Sequence, residues 1–140
     1  TAAGRCNDAT LTNWGDTLPT AACGSYFPLI YHDGPSLRIQ GGGMGQGILL
    51  VDGDLDLRGG FVFYGIIILQ GTFSTQGSGN RVMGAVMASN ASFGDQSVLG
   101  TSEITNSTCA VSRAILNNSA LSRARPLTTR SWIDLSSVTN

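Results

Sequence analysis

Between residues 29 and 107 the apolar positions fall in short runs separated by Gly, Asp, Asn or Ser, and the runs recur. Gly47-Ile48-Leu49-Leu50-Val51-Asp52-Gly53 aligns with Gly65-Ile66-Ile67-Ile68-Leu69-Gln70-Gly71 at an offset of 18, with both glycines and all four aliphatic positions matched. Gly84-Ala85-Val86-Met87-Ala88 follows at a spacing of 19. In a second register Leu37-x-Ile39, Leu55-x-Leu57 and Phe73-x-Thr75 again lie 18 apart. A further piece, Phe61-Val62-Phe63-Tyr64 and then Arg81-Val82-Met83, precedes each restart. Self-similarity at a fixed period marks a repeat architecture.

Three strand-like pieces within 18 residues leave no room for hairpins with ordinary turns. They fit one triangular turn of a parallel β-helix, in which each strand stacks on its own copy about 4.8 Å away and each turn buries its inward residues against the next. Asp54-Leu55-Asp56-Leu57 alternates as such a strand should, with Leu55 and Leu57 inward and Asp54 and Asp56 toward solvent. The pattern predicts an all-β chain with about four 18-residue rungs starting near Ile30, Ile48, Ile66 and Ala85, and a partial fifth around Ile104. A small β-sandwich is the competing architecture, but it leaves the period unexplained.

The ends differ from the middle. Residues 1–28 hold Trp14, Pro19, Tyr26, Phe27 and Pro28 without periodicity and read as an irregular segment leading into the first rung. Residues 29–107 are the β-helix, and residues 108–140 a capping helix with a tail. The helix is expected over 109–121, with Ser107 or Thr108 as N-cap and Val111, Ile115 and Leu116 at helical spacing. Laid over the last rung, it would cover an exposed edge. Arg130-Ser131-Trp132-Ile133-Asp134-Leu135 reads as a final packed strand or tail.

Composition narrows the chemistry. The 140 residues contain 8 Lys+Arg, all Arg, against 9 Asp+Glu, and one His. Without Lys there is no Schiff-base chemistry and no phosphate-binding Gly-Lys-Ser/Thr loop. One His excludes the usual two-His zinc sites. A net charge of −1 argues against nucleic acid as a partner. The longest apolar run, Phe61 to Leu69, is half the length of about 18 residues that a membrane span needs. A start at Thr1 instead of Met reads as a processed product or part of a longer chain. Charge is uneven: residues 1–100 carry four Arg and seven Asp, and residues 101–140 four Arg against Glu103 and Asp134.

Candidate sites are few. Cys6 and Cys23 enclose a Gly/Pro/Asn-rich segment that a disulfide would staple, while Cys109 reads as a small buried hydrophobe. Asp52, Asp54 and Asp56 form the only acidic cluster, but Leu57 and Phe63 stand where a calcium loop needs Gly and Glu. His32-Asp33 suggests a base and its orienting acid, with Ser25, Ser36 or Cys23 as conceivable nucleophiles. Neighbours on a strand point to opposite faces, which is poor geometry for a triad. Arg38 and Arg58, 20 apart and stacked in one register, offer little groove for polysaccharide lysis. The run Gly41-Gly42-Gly43-Met44-Gly45-Gln46-Gly47 lacks dinucleotide-loop spacing and reads as a mobile corner. Asn90-Ala91-Ser92, Asn106-Ser107-Thr108 and Asn117-Asn118-Ser119 are glycosylation sequons. No residue is expected to be catalytic, and no cofactor or metal is expected.

The run from Gly45 to Leu55 with Phe61-Val62-Phe63-Tyr64-Gly65 resembles β-helical domains of uncharacterised bacterial cell-surface proteins associated with type IV pili. Trp14-Gly15-Asp16, Cys109-Ala110-Val111-Ser112-Arg113-Ala114, Arg125-Pro126-Leu127 and Arg130-Ser131-Trp132 resemble the same group. The rung length is also similar to that of bactofilins, in architecture only. The resemblance implies a β-helix outside the cytoplasm and supplies no catalytic motif.

Together these readings predict a non-catalytic structural protein, a subunit of an extracellular filament or bacterial surface appendage, with itself or other surface subunits as partner. Its assembly contacts are expected at Trp14, Tyr26 and Phe27 on one end and at Arg113, Arg123, Arg125 and Arg130 on the other. The alternatives are an extrinsic scaffold subunit of a membrane complex, or a carbohydrate-binding module using Tyr64, Phe61 or Trp132 as platforms.

Overall fold

In the computed structural model, which describes residues 4–89 and 102–121, the 18-residue period is a parallel β-helix. Its strands are β1 (Leu29–His32), β2 (Ser36–Ile39), β3 (Gly43–Val51), β4 (Asp54–Arg58), β5 (Phe61–Leu69), β6 (Phe73–Gln76), β7 (Arg81–Ala88) and β8 (Glu103–Asn106), followed by helix α1 (Thr108–Leu116). Every pairing among them is parallel, in a sheet ordered β1-β3-β5-β7-β8 and another ordered β2-β4-β6.

The register follows the sequence alignment closely. Ile48 lies beside Ile66, and Leu55 between Leu37 and Phe73. Two differences are instructive. The first-rung partner of Ile48 is Leu29, not Ile30, because that turn carries an extra residue like the one before Gly84. The Gly41–Gly47 run is also not wholly a corner: Gly43–Gln46 is the first half of β3. The two short pieces on either side of Gly47, Gly65 and Gly84 form single strands that bend at the glycine. Gly65 has φ 142°, and a Cβ built there would lie 2.0 Å from the carbonyl oxygen of Gly47. Only glycine lets consecutive rungs approach so closely at this corner.

Inside, Leu49, Leu55, Leu57, Phe63 and Ile67 are all 0 % exposed. Each such side chain contributes about 1.5–3 kcal/mol by leaving water. Trp14 packs edge-on against Phe61, with ring centroids 6.0 Å apart, in space that Gly45 leaves free. It plugs one corner of the lower end. Leu37, Ile39 and Ile30 at the lower end, and Val86 and Ala88 at the upper, line the same core but are only partly buried.

Helix α1 forms where expected but stops at Leu116. Ser107 is its N-cap, accepting from the Ala110 amide at 3.3 Å, and Asn117 closes it by donating to the Arg113 carbonyl at 2.9 Å. Its small residues Ala110 and Ala114 are buried, and Ala114 packs with Phe27, Ile48 and Ile66. The helix therefore lies along the outer flank of β3, β5 and β7, not across the end of the last rung as its position in the sequence suggests. The reason is the outward-facing pair Ile48 and Ile66, which needs cover of its own.

Candidate functional site

The acidic cluster is divided among three separate duties. Asp52 accepts the Tyr31 hydroxyl on one oxygen, and the Gln70 amide reaches its other oxygen at 3.4 Å. Asp54 accepts the Thr72 amide at 2.7 Å and so ties one rung's turn to the next. Asp56 is gripped by Arg38 at 3.1 Å and Arg58 at 2.6 Å. Arg38 stands opposite Asp56 and Arg58 opposite Gln76; the two arginines do not share a register, because they lie 20 apart where these strands pair at an offset of 18. Among the described residues no group of three or more His, Cys, Asp or Glu could hold a metal ion.

Electrostatics follow these contacts. Burial acts to raise the Asp56 pKa, but the Arg58 and Arg38 contacts outweigh it and hold the carboxyl below its usual range. Tyr31 is pushed up, first by its hydrogen bond to Asp52, then by desolvation and the charges of Asp52 and Asp33. His32 has its Nε2 3.2 Å from the Ser36 carbonyl oxygen, a backbone contact within its own turn. Cys23 is in a disulfide and is not a free thiol.

The lower end is held by a compact staple. Cys6 and Cys23 are joined, with an S–S distance of 2.10 Å. Gln46 is 2 % exposed, and its amide nitrogen lies 3.2, 3.0 and 2.9 Å from the carbonyl oxygens of Cys23, Gly24 and Tyr26. Its backbone amide donates to the Trp14 carbonyl at 2.7 Å. Sequence reading missed Gln46; its signal was a polar residue set between Gly45 and Gly47 on a strand that is otherwise apolar.

The expected assembly residues fare differently. Phe27 is 5 % exposed, lying under α1 with the Arg113 guanidinium 5.2 Å from its ring centre. Trp14 and Tyr26 are half-buried, the first against Phe61 and the second with its hydroxyl donating to the Asp8 carbonyl. Phe27 is thus taken up by the chain's own packing, and Trp14 and Tyr26 are taken up by it in part. Phe61, at 3 % exposure, is no glycan platform, since it points into the core; Tyr64 is half-buried. Cys109 is exposed, not buried, on the outer face of α1. Arg123, Arg125, Arg130, Trp132 and the Asn90 sequon lie outside the described residues.

The two ends of the stack remain. The free edge of β2 receives no backbone hydrogen bond from any described residue, and neither does that of β1. At the other end β8 pairs only with Arg81–Gly84, so Ala85–Ala88 of β7 has an unpaired upper edge among the described residues. No family model, curated protein or solved structure matches this chain.

Proposed function

We propose that this chain is a non-catalytic structural subunit, joined to copies of itself through the ends of its β-helix in an extracellular filament or surface appendage. The observation that carries the reading is the pair of unlike ends, each with strand edges that no described residue pairs. At the lower end Leu37 and Ile39 are half-buried, whereas Leu55 and Leu57 one rung up are 0 % exposed. At the upper end Val86 is half-buried where Ile67 below it is 0 % exposed. Unpaired strand edges with apolar rims are templates for another chain. A unit with such an edge at each end is bivalent, and bivalent units joined end to end grow as a line.

The Cys6–Cys23 disulfide supports work outside the cytoplasm, because such bonds persist in oxidising compartments. Sedimentation of the oxidised chain over a wide concentration range tests the reading. The wild type is expected to form species that lengthen with concentration, and Leu37→Asp to halt them. Arrest at dimers indicates like ends meeting like, and arrest at monomers indicates unlike ends meeting. A wild type that stays monomeric throughout, or recovery only within a larger membrane complex, overturns the filament.

A further inference from the structure

One strip of the outer surface, tied to the packing under α1 only through Leu50, keeps most of its apolar residues exposed. On the outer face of the five-stranded sheet, Tyr31, Leu50, Ile68 and Met87 form one row across four rungs, because each is the register partner of the next. Tyr31 is 60 % exposed, Ile68 38 % and Met87 50 %. Beside this apolar row runs a polar rim, in which the Tyr31 hydroxyl, the Asp52 carboxylate and the Gln70 amide touch in sequence. Tyr31, Leu50, Ile68, Asp52 and Gln70 together line a shallow groove. The Asp52 hydrogen bond fixes the tyrosine ring at the groove's edge, and Asp33 adds to the negative field there.

We infer that this strip binds a glycan built of amino sugars, pyranose rings bearing free ammonium groups. An aromatic ring next to a carboxylate is suited to an ammonium ion, through the ring face and a charge-assisted hydrogen bond. The apolar row gives the flat C–H faces of successive sugars a surface to lie on, and the Gln70 amide offers both a donor and an acceptor to hydroxyls. The Asp52 carboxylate and the lack of any arginine in the lining disfavour uronate or phosphate polymers. An extended peptide is a poorer fit. Over the groove itself the backbones of β3 and β5 are already paired on both sides, so strand addition, the usual source of peptide affinity, is closed there. The inference does not depend on end-to-end assembly.

The test is calorimetric or NMR titration of the whole chain with glucosamine oligomers, N-acetylglucosamine oligomers, uronate oligomers and polylysine. Glucosamine oligomers are expected to bind, N-acetylated ones more weakly, and uronates not at all, with the first weakened by added salt. Tyr31→Ala should weaken binding roughly three- to thirtyfold. Asp52→Asn should erase the preference for free amines while leaving the N-acetylated oligomers unchanged. Both positions are on the surface, and an unchanged far-ultraviolet circular dichroism spectrum checks that each variant is folded. Failure of glucosamine oligomers to bind, equal binding by the folded variants, or equally Tyr31- and Asp52-dependent binding of polylysine would overturn the assignment.

Discussion

Leu37 and Leu55 are register partners in one inward-facing column, yet Leu55 is fully buried and Leu37 only half. The difference is position alone: Leu55 has a rung on each side and Leu37 on one. A solenoid without a closing layer leaves its last apolar residues in this condition, and terminal repeats ordinarily need a cap. Trp14 supplies such a cap beneath Phe61, and among the described residues nothing pairs with the free edge of β2.

The interior should respond to truncation as a close-packed core does. Phe63→Ala is expected to cost about 3–5 kcal/mol, and Leu57→Ala about 2–5. Leu37→Ala should cost visibly less, since half of that surface is already wet. Urea unfolding of the three variants under oxidising conditions gives the order; equal losses would mean that the lower end is covered.

The glycine corners are the most exacting positions in the chain. Gly65→Ala must relieve a Cβ contact with the Gly47 carbonyl as well as an unfavourable φ, and Gly84→Ala faces the equivalent contact with Gly65. Each should cost more than the roughly 1–3 kcal/mol of backbone strain alone. Gly41→Ala, where a new Cβ meets nothing within 4 Å, should show only the strain. Thermal unfolding of the three proteins separates the two effects.

Much of this was legible in the sequence, for a physical reason. A repeat that stacks on itself writes each contact into the chain at a fixed offset, so Gly47/Gly65 and Leu37/Leu55/Phe73 disclose which residues meet. What was not legible breaks the repeat. Phe27 reads as exposed because nothing in its neighbourhood announces that Ala114, 87 positions later, will cover it. The position of α1 likewise depends on the outward pair Ile48 and Ile66, which the inward-outward alternation assigns to solvent. Tyr31 escaped notice because its partner Asp52 belongs to the next rung, one turn of 19 and a strand end away.

The lower staple should release in a defined way. Gln46→Leu removes the donor shared by the Cys23, Gly24 and Tyr26 carbonyls; Cys23 keeps the Asp16 and Tyr26 amides, and the loss at the other two costs about 1–3 kcal/mol for buried groups left unpaired. Limited proteolysis is expected to cut within residues 4–28 faster than in the wild type and to spare the rungs. Thiol titration of the native protein should find one reactive group, Cys109, and three after reduction. Reduction should lower stability by about 3 kcal/mol for a loop of this length.

Acid sensitivity has a specific source in the Arg38–Asp56–Arg58 ladder. The Asp56 carboxyl is held below its ordinary 3.8 in the folded chain. Its pairing therefore stabilises the fold fully above that ordinary value, and the contribution is lost as pH falls through it toward the folded pKa. Asp56→Asn should lower the melting temperature at neutral pH and narrow the gap to wild type below about pH 4. A gap that stays constant with pH would mean the pairs contribute nothing.

The central claim is that the chain assembles through the ends of its β-helix, and the direction of its strand spacing in an assembled fibre tests that claim most directly. Fibres of the oxidised wild type, aligned for diffraction and imaged by electron microscopy, are predicted to show the roughly 4.8 Å strand repeat along the fibre axis. Rungs of successive copies then share one stack, and both Leu37→Asp and Val86→Asp should shorten the fibres. A wild type that forms no fibres, or fibres whose 4.8 Å repeat runs across the axis and which survive both substitutions, would contradict assembly through the ends.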